Sequence, residues 1–392
     1  MMKSGRHFLQ IPGPTNTPER VRMAMDRAVI DHRGPDFGEL GAGLLHDLKA
    51  VFKTEHRVFI YPASGTGAWE AALVNTLKQG DRVLMYETGQ FATLWRQMAE
   101  RLGYDPIFMQ GDWRSGANAD AIEAQLRADS GHAIKAVCVV HNDTATGVTT
   151  DIAAIRRAMD AANHPALLIV DTISSLAAID FRMDEWGVDV TVSGSQKGLM
   201  LPPGISFNAV NEKAMAAADA GGGRRSYWDW RAMVGPNETG FFPYTPATTL
   251  LYGLREALDM LAEEGLENVF ARHARHAEAT RRAVVGWGLE ILCRNPKEYS
   301  NALTAVMMPG EKGADALRKT ILDGFDMSLG AGLNKVGDKV FRIGHLGDFN
   351  DLMLMGTLCG VEMGLSRAGV AYEPGGAQIA MDYLAANPLA RP

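Results

Sequence analysis

A chain of 392 residues, 46% hydrophobic and 22% charged, has ordinary globular composition and enough length for about two domains around a sizeable core. Its formal net charge of −7, with no block of lysine and arginine, argues against nucleic acid as a partner. The apolar runs are short, which argues against a membrane span, and MMKSGRHFLQIPGP lacks the apolar centre of a secretory leader, so the cytoplasm is the expected compartment.

In chain order, residues 56–61 read as a strand, followed by Pro-Ala-Ser-Gly-Thr-Gly. Trp69, Ala72, Leu73, Thr76 and Leu77 then fall on one helical face. Residues 82–86 are a second strand, leading to a helix near 93–101. Residues 136–140 form a β-rich run. Asp151 then caps a helix whose apolar face is Ile152, Ile155 and Met159. Residues 166–170 and 188–192 are two more buried strands. This alternation predicts a parallel, doubly wound α/β sheet with its ligands at the carboxyl ends of the strands. A long helix follows, with Leu251, Leu254, Leu258 and Leu261 on one face and Gly265 as its cap. Beyond about residue 280 the pattern changes, and 303–307 and 339–343 read as strands of a smaller α+β unit. The expected organisation is an N-terminal arm (1–20), a large cofactor-binding domain (21–280) and a small C-terminal domain (281–392).

Four features carry chemistry. Lys197 follows the strand 188–192 in the turn Ser193-Gly-Ser-Gln-Lys-Gly198. A lysine there can reach a cleft, where desolvation lowers its pKa and makes the amine nucleophilic. Alone it fits a surface loop better. Asp171 ends the strand 166–170 at the same sheet edge, and a carboxylate there is costly to bury unless it meets a cation. A protonated pyridine nitrogen is such a cation; a turn-capping aspartate is the other reading. Ser64-Gly-Thr-Gly67 joins a strand to a helix, where free amides and two hydroxyls cradle a phosphate. It lacks the Gly-Lys-Ser/Thr ending of a Walker loop and the full dinucleotide fingerprint, and an ordinary tight turn also fits. Arg342, inside the apolar segment 340–347, must find an anion, either a substrate carboxylate or a structural partner. The three cysteines, Cys138, Cys293 and Cys359, form neither a disulfide framework nor a metal-ligand cluster and read as buried or inert thiols; no metal is expected.

With these elements in register, the chain resembles the serine–glyoxylate aminotransferases of the class V pyridoxal-phosphate family, with alanine–glyoxylate aminotransferases as more distant relatives. The carriers are Pro12-Gly-Pro-Thr15, Asp31-His-Arg33, Ser64-Gly-Thr-Gly-Ala-Trp-Glu70, His141-Asn-Asp-Thr-Ala-Thr-Gly-Val148 and Phe181-Arg-Met-Asp-Glu-Trp-Gly-Val-Asp189. They continue with Gly194-Ser-Gln-Lys197, Tyr244-Thr-Pro246, Glu264-Gly-Leu-Glu-Asn268, Ala271-Arg-His-Ala274, Leu333-Asn-Lys-Val336 and Phe341-Arg-Ile-Gly-His-Leu-Gly347. The resemblance implies a fold-type I enzyme in which Lys197 carries pyridoxal 5'-phosphate as a Schiff base and Asp171 faces the pyridine nitrogen. Ser64, Gly65, Thr66 and Gln196 would hold the phosphate, and Phe91 would stack on the ring. Thr146 or its neighbour Ala145 falls near the ring hydroxyl.

Arg342 would take the substrate α-carboxylate. Tyr244 and Thr245 match a segment that reaches the neighbouring subunit's phosphate, which implies a homodimer with shared sites. The implied reaction is ping-pong transfer of an amino group from a small amino acid, serine first and aspartate or alanine as alternatives, to glyoxylate, with pyruvate as the alternative acceptor. Arg33, with His32, is the candidate to meet an acidic donor's side chain. Thr172, larger than the residue usual after the aspartate, is expected to flank the ring. The glycine-rich, basic segment 221–226 reads either as a mobile loop near the entrance or as a solvated surface loop. Rivals are a same-fold lyase such as a cysteine desulfurase, which needs a reactive cysteine on a mobile loop, and a non-enzymatic cofactor-binding protein.

Overall fold

The computed structural model describes residues 5–310 and 312–389, so the ends of the expected arm and small domain, residues 1–4 and 390–392, lie outside the described residues. Runs rich in valine, isoleucine and leucine build a seven-stranded sheet. Its order is Arg57–Tyr61, Ser206–Val210, Val190–Gly194, Leu167–Asp171, Ile134–Val140, Arg82–Tyr86, Asp105–Met109. Only Ser206–Val210 runs against its neighbours; the other pairings between adjacent strands are parallel. The expected α/β architecture is present, and parallel strands buried on both faces explain the continuous apolar runs.

Two of these strands are invisible to apolar periodicity. Ser206–Val210 carries Asn208 at its centre. That amide is satisfied internally, accepting from the Tyr61 hydroxyl at 3.1 Å and donating to the Ala68 carbonyl at 3.2 Å. Asp105–Met109 contains Pro106, which cannot donate to a ladder, and accordingly lies at the sheet edge.

One face of the sheet packs on Pro35–Phe52, Ile152–Ala161 and Thr248–Glu264, through Leu44, Leu48, Ile155, Leu251, Leu254 and Leu258. The other packs on Gly65–Thr76, Gln90–Arg101 and Glu212–Asp219, through Trp69, Leu73, Trp95 and Ala214. Helix Gly65–Thr76 is buried nearly all round rather than on the single face expected, because it lies between this sheet and Glu212–Asp219. Gly265, at φ 78°, ends helix Thr248–Glu264 and starts helix Leu266–Gly286. A glycine is favoured at such an angle.

Leu266–Gly286 leads to a four-stranded sheet ordered Phe8–Gln10, Met327–Ala331, Val340–Gly344, Leu303–Met307. Its core of Trp287, Leu317, Ile321, Phe341, Leu358 and Val361 is separate from that of the larger sheet. The first strand joins this sheet by parallel pairing of Phe8 with Met327. The chain's start is therefore tied to its C-terminal third, and residues 11–15 cross the mouth of the larger sheet. Among the described residues, no helix is long and apolar enough to cross a membrane.

Candidate active site

Parallel strands end together, so residues that follow them meet at one edge. Asp171 is the last residue of its strand and Lys197 lies three residues beyond the neighbouring one. Helix Gly65–Thr76 begins beside them with Ser64 at its N-cap, its hydroxyl uncommitted to a cap hydrogen bond. A cavity of about 250 Å³ is walled by Ser64, Gly65, Thr66, Phe91, Asp171, Gln196 and Lys197. Seven of the residues singled out in the sequence are thus brought to one place.

The electrostatics follow from burial. Asp171 is 3% exposed. Burial pushes its carboxyl up to about 7, against the opposing effects of the Ile173 amide and the Trp69 indole, which both donate to it. The distances are 2.7 Å to Oδ1 and 3.0 Å to Oδ2. The Asp143 charge pushes the same way as burial, and Lys197 opposes it. Burial and the nearby Arg342 charge push the Lys197 amine down to about 7, with Asp171 and Asp143 opposing. A lysine so placed has a substantial neutral fraction near neutrality and can act as a nucleophile or base. Its amine donates to the Pro12 carbonyl.

The chain crossing that amine is built around Gly13. Its φ is 99°, and a Cβ there would overlap the Lys197 side chain. Thr15 fastens the crossing, donating from its amide to the Gln196 carbonyl at 3.0 Å and from its hydroxyl to the Lys197 carbonyl at 3.2 Å. Pro12-Gly-Pro-Thr15 was visible as a motif, but nothing in it revealed that it covers the lysine.

Arg342 is 7% exposed and does not itself wall the cavity. Its guanidinium donates to the Ala331 carbonyl at 2.7 Å and to the Thr144 carbonyl at 2.6 Å, and Thr144 is on the wall. Burial lowers its pKa to about 10, opposed by Asp143. No carboxylate forms an ion pair with it among the described residues, so this buried cation retains capacity for an anion.

Other expected residues lie elsewhere. Thr146 is fully buried, donates to the Thr88 carbonyl at 3.2 Å and is absent from the wall; Thr144, two residues earlier, occupies it with Asn142. Ala145 is likewise buried away from the cavity. Thr172 does not reach it either. Its hydroxyl donates to the Val192 carbonyl at 3.0 Å, and Ile173 is the residue that faces the cavity. The strand ends at Asp171 and the chain turns at once, the Ser175 and Leu176 amides donating to the Thr172 carbonyl, and this turn presents Ile173 rather than Thr172 to the cavity. Tyr244 donates its hydroxyl to the Ile60 carbonyl, and Thr245 opens with His32, Val29 and Ile30 on a separate recess. Arg33 is exposed, its backbone amide donating to Asp31 at 2.9 Å.

The histidines sort by their partners. His141 is buried, bonds Ser175 at 2.9 Å and is pushed down to about 4 by burial. His345 bonds Thr304 at 3.0 Å and Asn301 at 3.1 Å, a structural arrangement. The segment 221–226 is held rather than loose: the Arg225 side chain is 3% exposed and donates to the Ala218 carbonyl at 2.8 Å. Of the cysteines, Cys138 and Cys293 are buried with thiols pushed up by burial, whereas Cys359, expected to be buried or inert, is exposed on helix Asp351–Arg367. None of the three is on the cavity wall.

Unforeseen wall residues are Gly13, Pro14, Trp69, Asn142, Thr144, Ile173, Ser174 and Pro203. Trp69 had a helical position consistent with core packing, and only the fold shows its indole turned to Asp171.

The chain's similarities agree with this geometry. The family model described as aminotransferase class-V matches residues 8–332. A serine–glyoxylate aminotransferase of Methylorubrum extorquens is 51% identical over 99% of this chain and 98% of its own length. An L-aspartate–glyoxylate aminotransferase of Paracoccus denitrificans is 46% identical over 93% of this chain and 92% of its own. Among solved structures, a pyridoxamine–pyruvate aminotransferase from Mesorhizobium loti superposes with a TM-score of 0.91 at 26% identity, over 98% of each chain.

Proposed function

Because this chain belongs to the class-V aminotransferases, we propose that it transfers the amino group of a small amino acid, serine first, to glyoxylate, giving glycine and a 2-keto acid. The observation that carries the reading is the pairing of a buried Lys197 amine with a buried Asp171 carboxyl at neighbouring strand ends, beside the free start of a helix. Relatives of similar length named for serine and for aspartate both take glyoxylate in their names, so the acceptor is better supported than the donor.

Pyridoxal 5'-phosphate fits the donor set. The amides after Ser64, the Ser64 and Thr66 hydroxyls and the helix start suit a phosphate. Gln196 beside them carries an amide N–H₂ group that can donate to the phosphate oxygens. Asp171 suits a protonated ring nitrogen, Phe91 the ring face and Thr144 or Asn142 the ring hydroxyl. When bound, the cofactor supplies an electron sink for the carbanion formed at the donor's Cα.

The chain's residues do the rest. Lys197 Nζ takes the proton from that carbon and would deliver it to the cofactor's C4′ carbon, and its lowered pKa matches the task. Arg342, already held by two carbonyls, fixes the α-carboxylate and so the direction of the Cα–H bond. The 11–15 crossing excludes water above the amine. An acidic donor needs a second cation, and Arg33 of this chain is not on the wall.

A homodimer belongs to the same reading. Thr245 and His32 line a recess away from the chain's own cavity, next to Val29 at 74% exposure, where a second copy can use them. So does the division into an arm, a large domain and a small one, supported by the separate cores of the two sheets.

The direct test is glycine formation from glyoxylate with serine, alanine and aspartate as donors. Serine is expected to be fastest. Failure of all three would remove the substrate assignment and leave the cofactor assignment standing.

A further inference from the structure

We propose that Trp69 is a positioning residue for Asp171: its indole N–H holds one carboxylate oxygen and thereby fixes the group that faces the cofactor's ring nitrogen. The inference rests on the cofactor reading above. The helix that opens with the candidate phosphate cradle at Gly65 places Trp69 one turn later, so one element delivers both contacts. Its Nε1 lies 3.0 Å from Asp171 Oδ2.

The indole is held from both sides. It stacks on Trp95 at a centroid distance of 5.7 Å and an interplanar angle of 14°, and meets Phe91 edge-on at 6.5 Å. It is 2% exposed, so no bulk water competes for its N–H. Oδ1 meanwhile accepts from the Ile173 amide at 2.7 Å. Two rigid donors, one on each oxygen, set the carboxylate plane and leave remaining lone-pair capacity for a ring nitrogen.

The chemical effect has a definite sign. Both donors favour the ionised carboxylate, opposing burial and the like charge of Asp143; the Lys197 amine is the other charged group acting on Asp171. Loss of the indole N–H removes one support for the charge. A carboxyl left neutral there cannot hold a proton on the ring nitrogen, and the cofactor's electron withdrawal weakens.

The test separates the hydrogen bond from packing. In the cofactor-free full chain, the infrared band of protonated Asp171, identified by its loss in Asp171→Asn, is followed against pH. Trp69→Phe is expected to raise the midpoint by about one to two pH units. Replacement of Trp69 by β-(3-benzothienyl)alanine, which keeps the shape and removes the donor, should do the same. It decides the matter if Trp69→Phe does not fold. Trp95→Phe disturbs the same stack, but the Trp95 Nε1 has no hydrogen-bond partner among the described residues, so the midpoint should stay. Both substitutions at position 69 should also weaken pyridoxal-phosphate binding by about ten-fold.

An unchanged midpoint in the benzothienyl protein, or an equal rise in Trp95→Phe, overturns the proposal. Unchanged cofactor affinity with a shifted midpoint overturns its link to the cofactor. Failure of the unsubstituted protein to take up the cofactor sinks the proposed function instead, while the cofactor-free titration still decides the Trp69–Asp171 coupling.

Discussion

Asp171→Asn should change the stability of the cofactor-free protein in opposite directions at low and high pH. The carboxyl's folded-state pKa, about 7, lies above its ordinary value of 3.8. A raised carboxyl contributes most below its unfolded pKa, and that contribution is lost as pH rises through the folded one. At 1.36 kcal/mol per pH unit, a gap of about three units makes the ionised group cost up to about 4 kcal/mol above pH 8. Asparagine removes that cost. It also presents one N–H₂ group where both carboxylate oxygens now accept, from Trp69 and Ile173, so one buried donor loses its acceptor at about 1–3 kcal/mol. At pH 4, close to the unfolded value, the variant should therefore be less stable than the parent by about 0.5–2.5 kcal/mol, and at pH 8.5 equal to it or more stable. Asp143 and Lys197 titrate in both proteins, and their contributions cancel to first order in the difference. Urea unfolding of the cofactor-free chains at the two pH values reads it directly. A stability difference with the same sign and size at both pH values would refute the burial argument for Asp171.

Three further outcomes follow from the same geometry. Lys197→Ala should abolish glycine formation and, having removed a buried amine whose pKa is pushed below its solution value, should raise cofactor-free stability at pH 6 by a few kcal/mol, read by thermal or urea unfolding. Arg342→Lys cannot keep both carbonyl contacts and offer a planar fork, so kcat/KM for the amino donor should fall about 100-fold while cofactor affinity changes little. Gly13→Ala puts a Cβ into the Lys197 side chain and a non-glycine residue at φ 99°, so cofactor uptake, measured by absorbance, should fall at least about ten-fold with the fold retained by circular dichroism.

The parts of the site legible in the sequence were those fixed by strand ends. Leu167–Asp171 is a continuous apolar run, so the charge that closes it stood out, and the strand before Lys197 did the same for the lysine. Side chains in the turns that follow the strands were not legible to one residue: Ile173 rather than Thr172 faces the cavity, and Thr144 stands on the wall where Thr146 or Ala145 was expected. Long-range placements left no local signal. Phe8–Gln10 pairs with a strand more than 300 residues later, and that pairing lays Gly13 over Lys197. Helix Leu266–Gly286 was hidden because charged residues such as Arg275 are buried within it, paired to Asp351. Ser206–Val210 and Asp105–Met109 broke the apolar pattern with an internally satisfied asparagine and an edge proline.

The central claim is that Lys197 bonds the cofactor. Borohydride reduction of the protein loaded with pyridoxal phosphate, followed by peptide mass mapping, should find the pyridoxyl group on the peptide containing Lys197 and on no other lysine. A label on a different lysine, or none in protein that has bound the cofactor, would contradict the account.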